Sequence, residues 1–224
     1  MRTTSALILG LILTTAFAQA EPLSPAELKT LLARIREQRA ASPQVQADFE
    51  EEKMIRLMNK PIASAGKMYF QAPNKFRREV RGSSPSITIS DGRQLWIYYP
   101  NFKSAEHYTL GKRSPLDSVI AAINTALNLE NVESSFHIVA NKVDPPQAGY
   151  ELELTPRSPS MKRMFEKLNV RINKDLLLER TEMFQPNGDR IVTRYSNQTH
   201  SPIPPSTFEF TPPPGTDVST PLGR

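Results

Sequence analysis

Gly66-Lys67-Met68-Tyr69-Phe70-Gln71-Ala72-Pro73-Asn74-Lys75-Phe76-Arg77-Arg78, followed by Ser90-Asp91-Gly92-Arg93-Gln94-Leu95-Trp96-Ile97-Tyr98-Tyr99-Pro100, is the stretch whose reading decides the fold. Met68 and Phe70 fall on one side of an alternating segment, and Phe76 and Val80 on one side of the next; a period of two is the signature of a strand. Asp91-Gly92 supplies the positive-φ residues of a tight hairpin. Strands this apolar and this closely joined make an antiparallel sheet curved around apolar contents.

The same alternation extends in both directions. Val45, Ala47 and Phe49 oppose Gln46, Asp48 and Glu50 from residue 45 onward. Further strands are predicted at 62–71, 75–81, 86–90, 94–99, 103–109, 134–141, 149–155, 165–173, 176–185 and 190–198, with a short last one near Phe208. Asn187-Gly188 is a second strong turn signal and Asn173-Lys174-Asp175 a weaker one. Two amphipathic helices accompany the strands. The first opens with Ser24-Pro25-Ala26-Glu27, a capping box with proline in the first turn, and carries Leu28, Leu31, Leu32 and Ile35 on one face to about Ala40. The second starts at Ser114-Pro115 and carries Leu116, Val119, Ile120, Ile123 and Leu127. The fold class is α+β, mainly β, with about eleven strands in one large sheet. Such a sheet curls into a barrel or half-barrel, and the helices cover its mouth or plug it. The proline-rich stretch from Pro202 to Pro214 cannot continue the ladder, because proline lacks the donor.

Met1-Arg2, the apolar run Ala6–Phe17 and Ala18-Gln19-Ala20 read as a secretory signal peptide, so residues 1–20 are expected to be removed and residues 21–224 to form one soluble domain. The chain has no cysteine although it is sent to a disulfide-permissive compartment. It therefore carries no lipid-modified cysteine after the signal, and packing alone must stabilise it. With 28 basic and 23 acidic residues the net charge is +5, mildly basic and without a nucleic-acid-binding motif.

Catalytic chemistry needs a nucleophile with a base, a metal cluster or paired carboxylates. His107, His137 and His200 share no metal-ligand spacing, and no nucleophile elbow, dinucleotide turn or phosphate loop occurs. The acidic run Asp48, Glu50, Glu51, Glu52 alternates between two faces of a strand. No enzyme, metal or cofactor is expected; a secreted hydrolase is the least favoured reading. The basic cluster Lys75, Arg77, Arg78, Arg81 reads either as a charged strand edge or as a docking patch for an acidic partner or lipid phosphate. What remains is apolar surface: Met68 with Phe70, Phe76 with Val80, Leu152 with Leu154, and Leu168, Val170 and Ile172. It is a filled core or, if the barrel closes incompletely, a ligand cavity, and periodicity leaves both open.

An ordered set of segments resembles the LolA family of periplasmic outer-membrane lipoprotein carriers: Ala47-Asp48-Phe49, Gly66-Lys67-Met68-Tyr69-Phe70, Pro73-Asn74-Lys75-Phe76-Arg77, Ser90-Asp91-Gly92, Leu95-Trp96-Ile97-Tyr98, Tyr99-Pro100-Asn101, Phe208-Glu209-Phe210-Thr211-Pro212-Pro213 and Gly215-Thr216-Asp217-Val218. The resemblance implies an unclosed β-barrel with a helical lid, in the periplasm, whose apolar cavity takes lipoprotein acyl chains. It implies cargo received from an inner-membrane ABC transporter and passed to an outer-membrane receptor lipoprotein, by a monomeric chaperone without a cofactor. On that reading Phe49, Met68, Phe70, Ala72, Phe76, Leu152, Leu154, Val170 and Ile172 line the cavity. Leu28, Leu31, Leu32, Ile35, Leu116, Val119, Ile120 and Ile123 form the lid. Ala72 stands where the family commonly has an arginine thought to hold the lid, a departure that favours an alternative: a lipid-sensing or adaptor protein serving a different exporter or a regulatory partner.

Overall fold

The computed structural model describes residues 22–111 and 132–221. The signal-peptide segment and the second amphipathic helix, with Leu116, Val119, Ile120 and Ile123, lie outside the described residues. Helix α1 spans Pro25–Ala41, and its start is the expected capping box: the Glu27 N–H donates to Ser24 Oγ at 3.4 Å, and the Ser24 N–H to Glu27 Oε2 at 2.8 Å. Ser24 Oγ also donates to Glu27 Oε2 at 2.6 Å, and this bond, then that from the Ser24 N–H, holds the Glu27 carboxyl below its ordinary pKa.

Among the described residues eleven strands then follow as two meanders, β1–β6 and β7–β11, that meet where the first strand pairs the last: β1 (Gln44–Met54), β2 (Ile62–Gln71), β3 (Lys75–Arg81), β4 (Ser86–Ser90), β5 (Gln94–Tyr99), β6 (Ser104–Thr109), β7 (Phe136–Val143), β8 (Gly149–Pro156), β9 (Lys167–Asn173), β10 (Leu178–Phe184) and β11 (Arg190–Thr199). A twelfth, β12 (Asp217–Ser219), joins them in one sheet ordered β12-β6-β5-β4-β3-β2-β1-β11-β10-β9-β8-β7. The two ends of this order do not pair with each other, so the sheet is an open half-barrel. The chain covers part of both edges. β12 lies parallel on β6, and Pro22 bridges Asn141 of β7 while the Leu23 N–H donates to Ala140 O at 2.7 Å. Covered edges leave fewer free backbone groups for association.

The turns follow the sequence chemistry. Asp91 Oδ1 accepts from the Arg93 and Gln94 N–H groups, both at 2.7 Å, and Gly92 adopts φ +90°. Boundaries shift where local bonds compete. β9 begins at Lys167 because the Phe165 N–H already bonds Met161 O at 3.0 Å. β10 begins at Leu178 because Leu176 turns through φ +59°.

The expected strand near Phe208 is replaced by a 3-10 turn, Pro205–Phe208. Pro202, Pro204 and Pro205 bring no N–H donors, so the segment is held by side chains instead. Ile203 and Phe208 are buried, the Ile203 N–H donates to Gln44 Oε1 at 2.7 Å, and Arg77 Nη1 donates to Thr207 O at 3.3 Å. Phe210 then lies 5.5 Å from both Trp96 and Tyr98, ring centre to ring centre. The proline-rich end is thus a strap across the outer face of β3–β6, ending as β12.

Candidate functional site

Residues opposite one another in an antiparallel ladder project from the same face. Phe49 opposes Tyr195 and Gly66; Met68 opposes Ala47 and Arg78; Phe70 opposes Val45 and Phe76; Phe76 opposes Ser90, which opposes Leu95. Across β11 the row continues through Thr193, Thr181, Val170, Leu152 and Ala140. The face so traced holds eight of the nine residues expected to line a cavity, Ala72 packs against it just past the end of β2, and α1 lies against it.

The two halves of this face are built differently. Leu31, Leu32 and Ile35 of α1, each at most 2% exposed, pack with Phe136, Ala140, Leu152, Leu154, Leu168, Val170 and Ile172 in one continuous cluster, with Leu28 at its margin. Toward β6, Phe70, Phe76 and Leu95 form a smaller cluster with Val45, Ala72 and Tyr108 around it. Ala47, Phe49 and Met68 form another. Ala72 also donates its N–H to Pro43 O at 2.8 Å, tying the end of β2 to the chain leaving α1.

Gly66 matters here by close approach. A Cβ at this position would lie 1.8 Å from Glu79 O and 2.8 Å from the Phe49 ring, so glycine is what lets that ring lie across β2. The Arg78 guanidinium sits over the same ring, 4.2 Å from its centre. Arg78 Nη2 donates to Glu51 Oε2 at 2.8 Å, and Thr193 Oγ1 donates to the same oxygen at 3.2 Å. An ion pair therefore interrupts the apolar face beside Phe49. Its side chains keep 33% and 23% exposure, so water still screens it. Nearer the β6 edge Tyr108 donates to Glu106 Oε2 at 2.5 Å. Burial, then that bond and the Glu106 charge, push the Tyr108 phenol up to about 12. Burial also raises Tyr195 and, with the Glu106 charge, Tyr99.

The four basic residues grouped by sequence do not share a face. Lys75, Arg77 and Arg81 oppose Gln71, Tyr69 and Ala65 on the convex side, whereas Arg78 opposes Met68 on the concave side. Arg77 pairs with Glu79 at 2.6 Å under the C-terminal strap. Sequence reasoning had the signal for Arg78, since Phe76, Arg78 and Val80 alternate; grouping by charge hid it. The histidines stay apart. His107 stacks on Trp96 at 4.2 Å, His200 Nδ1 lies 2.8 Å from Gln44 O, and His137 is exposed on β7. Among the described residues no group of three or more His, Asp or Glu is placed to hold a metal ion, and no helix is long and apolar enough to cross a membrane.

An open antiparallel half-barrel whose apolar concave face is covered by an amphipathic helix defines the class. Residues 41–211 match the family described as outer membrane lipoprotein carrier protein LolA, and the chain belongs to that family. It is 27% identical over 207 residues to the outer-membrane lipoprotein carrier protein of Chromobacterium violaceum, covering 91% of this chain and 94% of that one. It is 26% identical over 175 residues to the protein of the same name from Dechloromonas aromatica, covering 78% and 80%. An uncharacterized conserved protein from Thermus thermophilus shares the fold, with a TM-score of 0.54 at 11% identity, covering 86% of this chain and 99% of that one.

Proposed function

We propose that this protein is a periplasmic carrier that shields the acyl chains of lipoproteins, or of a related lipid, on the concave face of its half-barrel and shuttles them from the inner to the outer membrane. Residues 1–20 act as the signal peptide and residues 21–224 as a single carrier domain. The protein works without catalysis or a cofactor, as a monomer, between an inner-membrane ABC transporter and an outer-membrane receptor lipoprotein. The observation that carries this reading is the apolar concave face with α1 seated on it, in a chain of the LolA family.

The physics is direct. Each buried methylene contributes about 0.8 kcal/mol, so one long acyl chain represents on the order of 10 kcal/mol of transfer free energy. A soluble carrier must offer that much apolar area in transit and take it back at delivery. Leu28, Leu31, Leu32 and Ile35 occupy part of the face when it is empty and leave it when cargo enters, exchanging one set of apolar contacts for another. Phe49, Met68, Phe70, Ala72, Phe76, Leu152, Leu154, Val170 and Ile172 then meet the acyl chains.

Phe70→Glu and Phe76→Glu test the reading, because each puts a charge on the wall that acyl chains touch. Binding of a fluorescent fatty-acyl probe should weaken by at least about tenfold while circular dichroism still reports the sheet. Unchanged probe binding in both folded variants would sink the proposal.

A further inference from the structure

Five connections gather at one end of the strands. The register Phe184↔Arg190, Arg190↔Met54, Lys53↔Ile62, Val80↔Ser86 and Tyr99↔Ser104 sends the β10–β11, β1–β2, β3–β4 and β5–β6 turns to the same rim, and Leu154↔Leu168 adds the β8–β9 connection. Large apolar side chains are exposed there. Leu57 is 93% and Met58 50% exposed at the β1–β2 tip, and Phe102 is 78% exposed at the β5–β6 tip. Single exposed apolar residues are ordinary. Two separate hairpin tips at one rim, each ending in such a residue, are not explained by packing.

The charge around them has one dominant sign. Arg56 and Lys60 flank Leu57 and Met58, Lys103 follows Phe102, Arg81 ends β3, and Lys162 and Arg163 lie in the β8–β9 connection; all six are exposed. Among the described residues none of the six forms an ion pair within 4.0 Å. On the acidic side, Asp189 is engaged by the Arg56 N–H at 3.0 Å and Asn187 Nδ2 at 3.0 Å, Glu52 pairs with Arg194 at 3.5 Å, Glu133 pairs with Arg36 at 3.1 Å, and Glu166 and Asp217 are exposed, with the Asp217 N–H donating to Lys103 O at 2.8 Å.

The β1–β2 tip is also held in place. β2 pairs with β1 as far as Ile62 but with β3 only from Ala65, so the hairpin stands about 10 Å beyond its neighbour. The Arg56 bond to Asp189 ties the tip to the β10–β11 turn. Gly188 there, at φ +86°, leaves room for the arginine stem, since a Cβ would lie 2.9 Å from Arg56 Cδ. A tip already ordered loses little conformational freedom on binding.

We propose that this rim is a contact face for an anionic phospholipid surface, with Leu57, Met58 and Phe102 entering the headgroup boundary and the basic residues lying on lipid phosphates. Apolar anchors ringed by Lys and Arg are the chemistry that such a surface selects. The anchors stand on separate tips along the rim instead of lining one groove, which suits a broad lipid plane better than a single peptide.

Co-sedimentation of the purified protein with vesicles of phosphatidylcholine, with and without phosphatidylglycerol, provides the test. Binding should require phosphatidylglycerol and fall with added salt. Leu57→Asp combined with Phe102→Asp should weaken it by at least about tenfold, and Lys60→Glu with Lys103→Glu should remove the preference for anionic vesicles. The substituted side chains are exposed, so the fold and the binding of the acyl probe on the concave face should survive in all variants. Absence of wild-type binding, equal binding to neutral vesicles, or full binding by the Leu57/Phe102 variant would each overturn the proposal, and none of these results bears on the carrier reading.

Discussion

The half of the concave face under α1 and the half from β1 to β6 are made from the same ladder, yet they bury their side chains differently. Among the described residues the first collects fifteen buried residues in one cluster, against two separate clusters of three in the second. The first is aliphatic with Phe136 and Phe165 and is sealed by a helix. The second is aromatic and is broken by Arg78, Glu51 and the Glu106–Tyr108 pair. A continuous aliphatic cluster stabilises the fold; a divided one with accessible polar groups is suited to discriminating among ligands. The two halves should therefore answer mutation with different signs.

The largest effect should come from Leu32→Ala. Leu32 is 0% exposed at the centre of the seal, and its truncation should cost about 2–5 kcal/mol, read from the denaturation midpoint. On the proposed carrier reading α1 competes with cargo for the same apolar surface, so the variant should also bind an acyl probe more tightly than wild type. Phe70→Glu should do the reverse, weakening binding from the wall side. If Leu32→Ala weakens binding as well, α1 belongs to the wall and the comparison between cover and wall breaks.

Much of this contrast could be read from the chain. Period-two alternation fixed the parity of Met68, Phe70, Phe76, Leu152, Leu154, Val170 and Ile172, and the register keeps them on one face. Ser24, Asp91-Gly92 and Asn187-Gly188 act through bonds that span a few residues, so they were legible too. The strap was not. Phe208 alternates with Phe210 as a strand would, but its place is decided by Gln44, Arg77 and Trp96, far away in sequence. β12 escaped for a related reason: three residues laid parallel on β6 leave no periodic trace. Arg78 was visible by parity and obscured by its basic neighbours.

A smaller effect should follow from Arg78→Met, which keeps much of the length and removes the charge. The pair with Glu51 is partly exposed, so a double-mutant cycle with Glu51→Gln should give a coupling of about 0.5–1 kcal/mol in stability. Binding is the sharper readout. Arg78 is the cation on the concave face nearest Phe49, so its loss should weaken binding of a fatty-acid probe relative to the matching fatty alcohol. Equal losses for the two probes would mean that the ion pair shapes the wall without reading charge.

The smallest effect concerns Tyr108, and it asks how closed the β6 end of the divided half is. Burial is the main cause that pushes this phenol from its ordinary 10.0 up to about 12, followed by the bond to Glu106 and that group's charge. A pKa raised by folding contributes stability that is fully present below the unfolded value and is lost as pH rises through the folded one. The contribution should thus hold to pH 10 and vanish between there and about 12. In an alkaline titration followed by phenolate absorbance, Tyr108→Phe should delete a late-titrating tyrosine. Glu106→Gln should lower that step while leaving the part of the shift that burial causes. A Tyr108 that titrates at its ordinary value would mean that water reaches the face beside β6 freely, and the contrast with the sealed half would then be one of exposure as well as of composition.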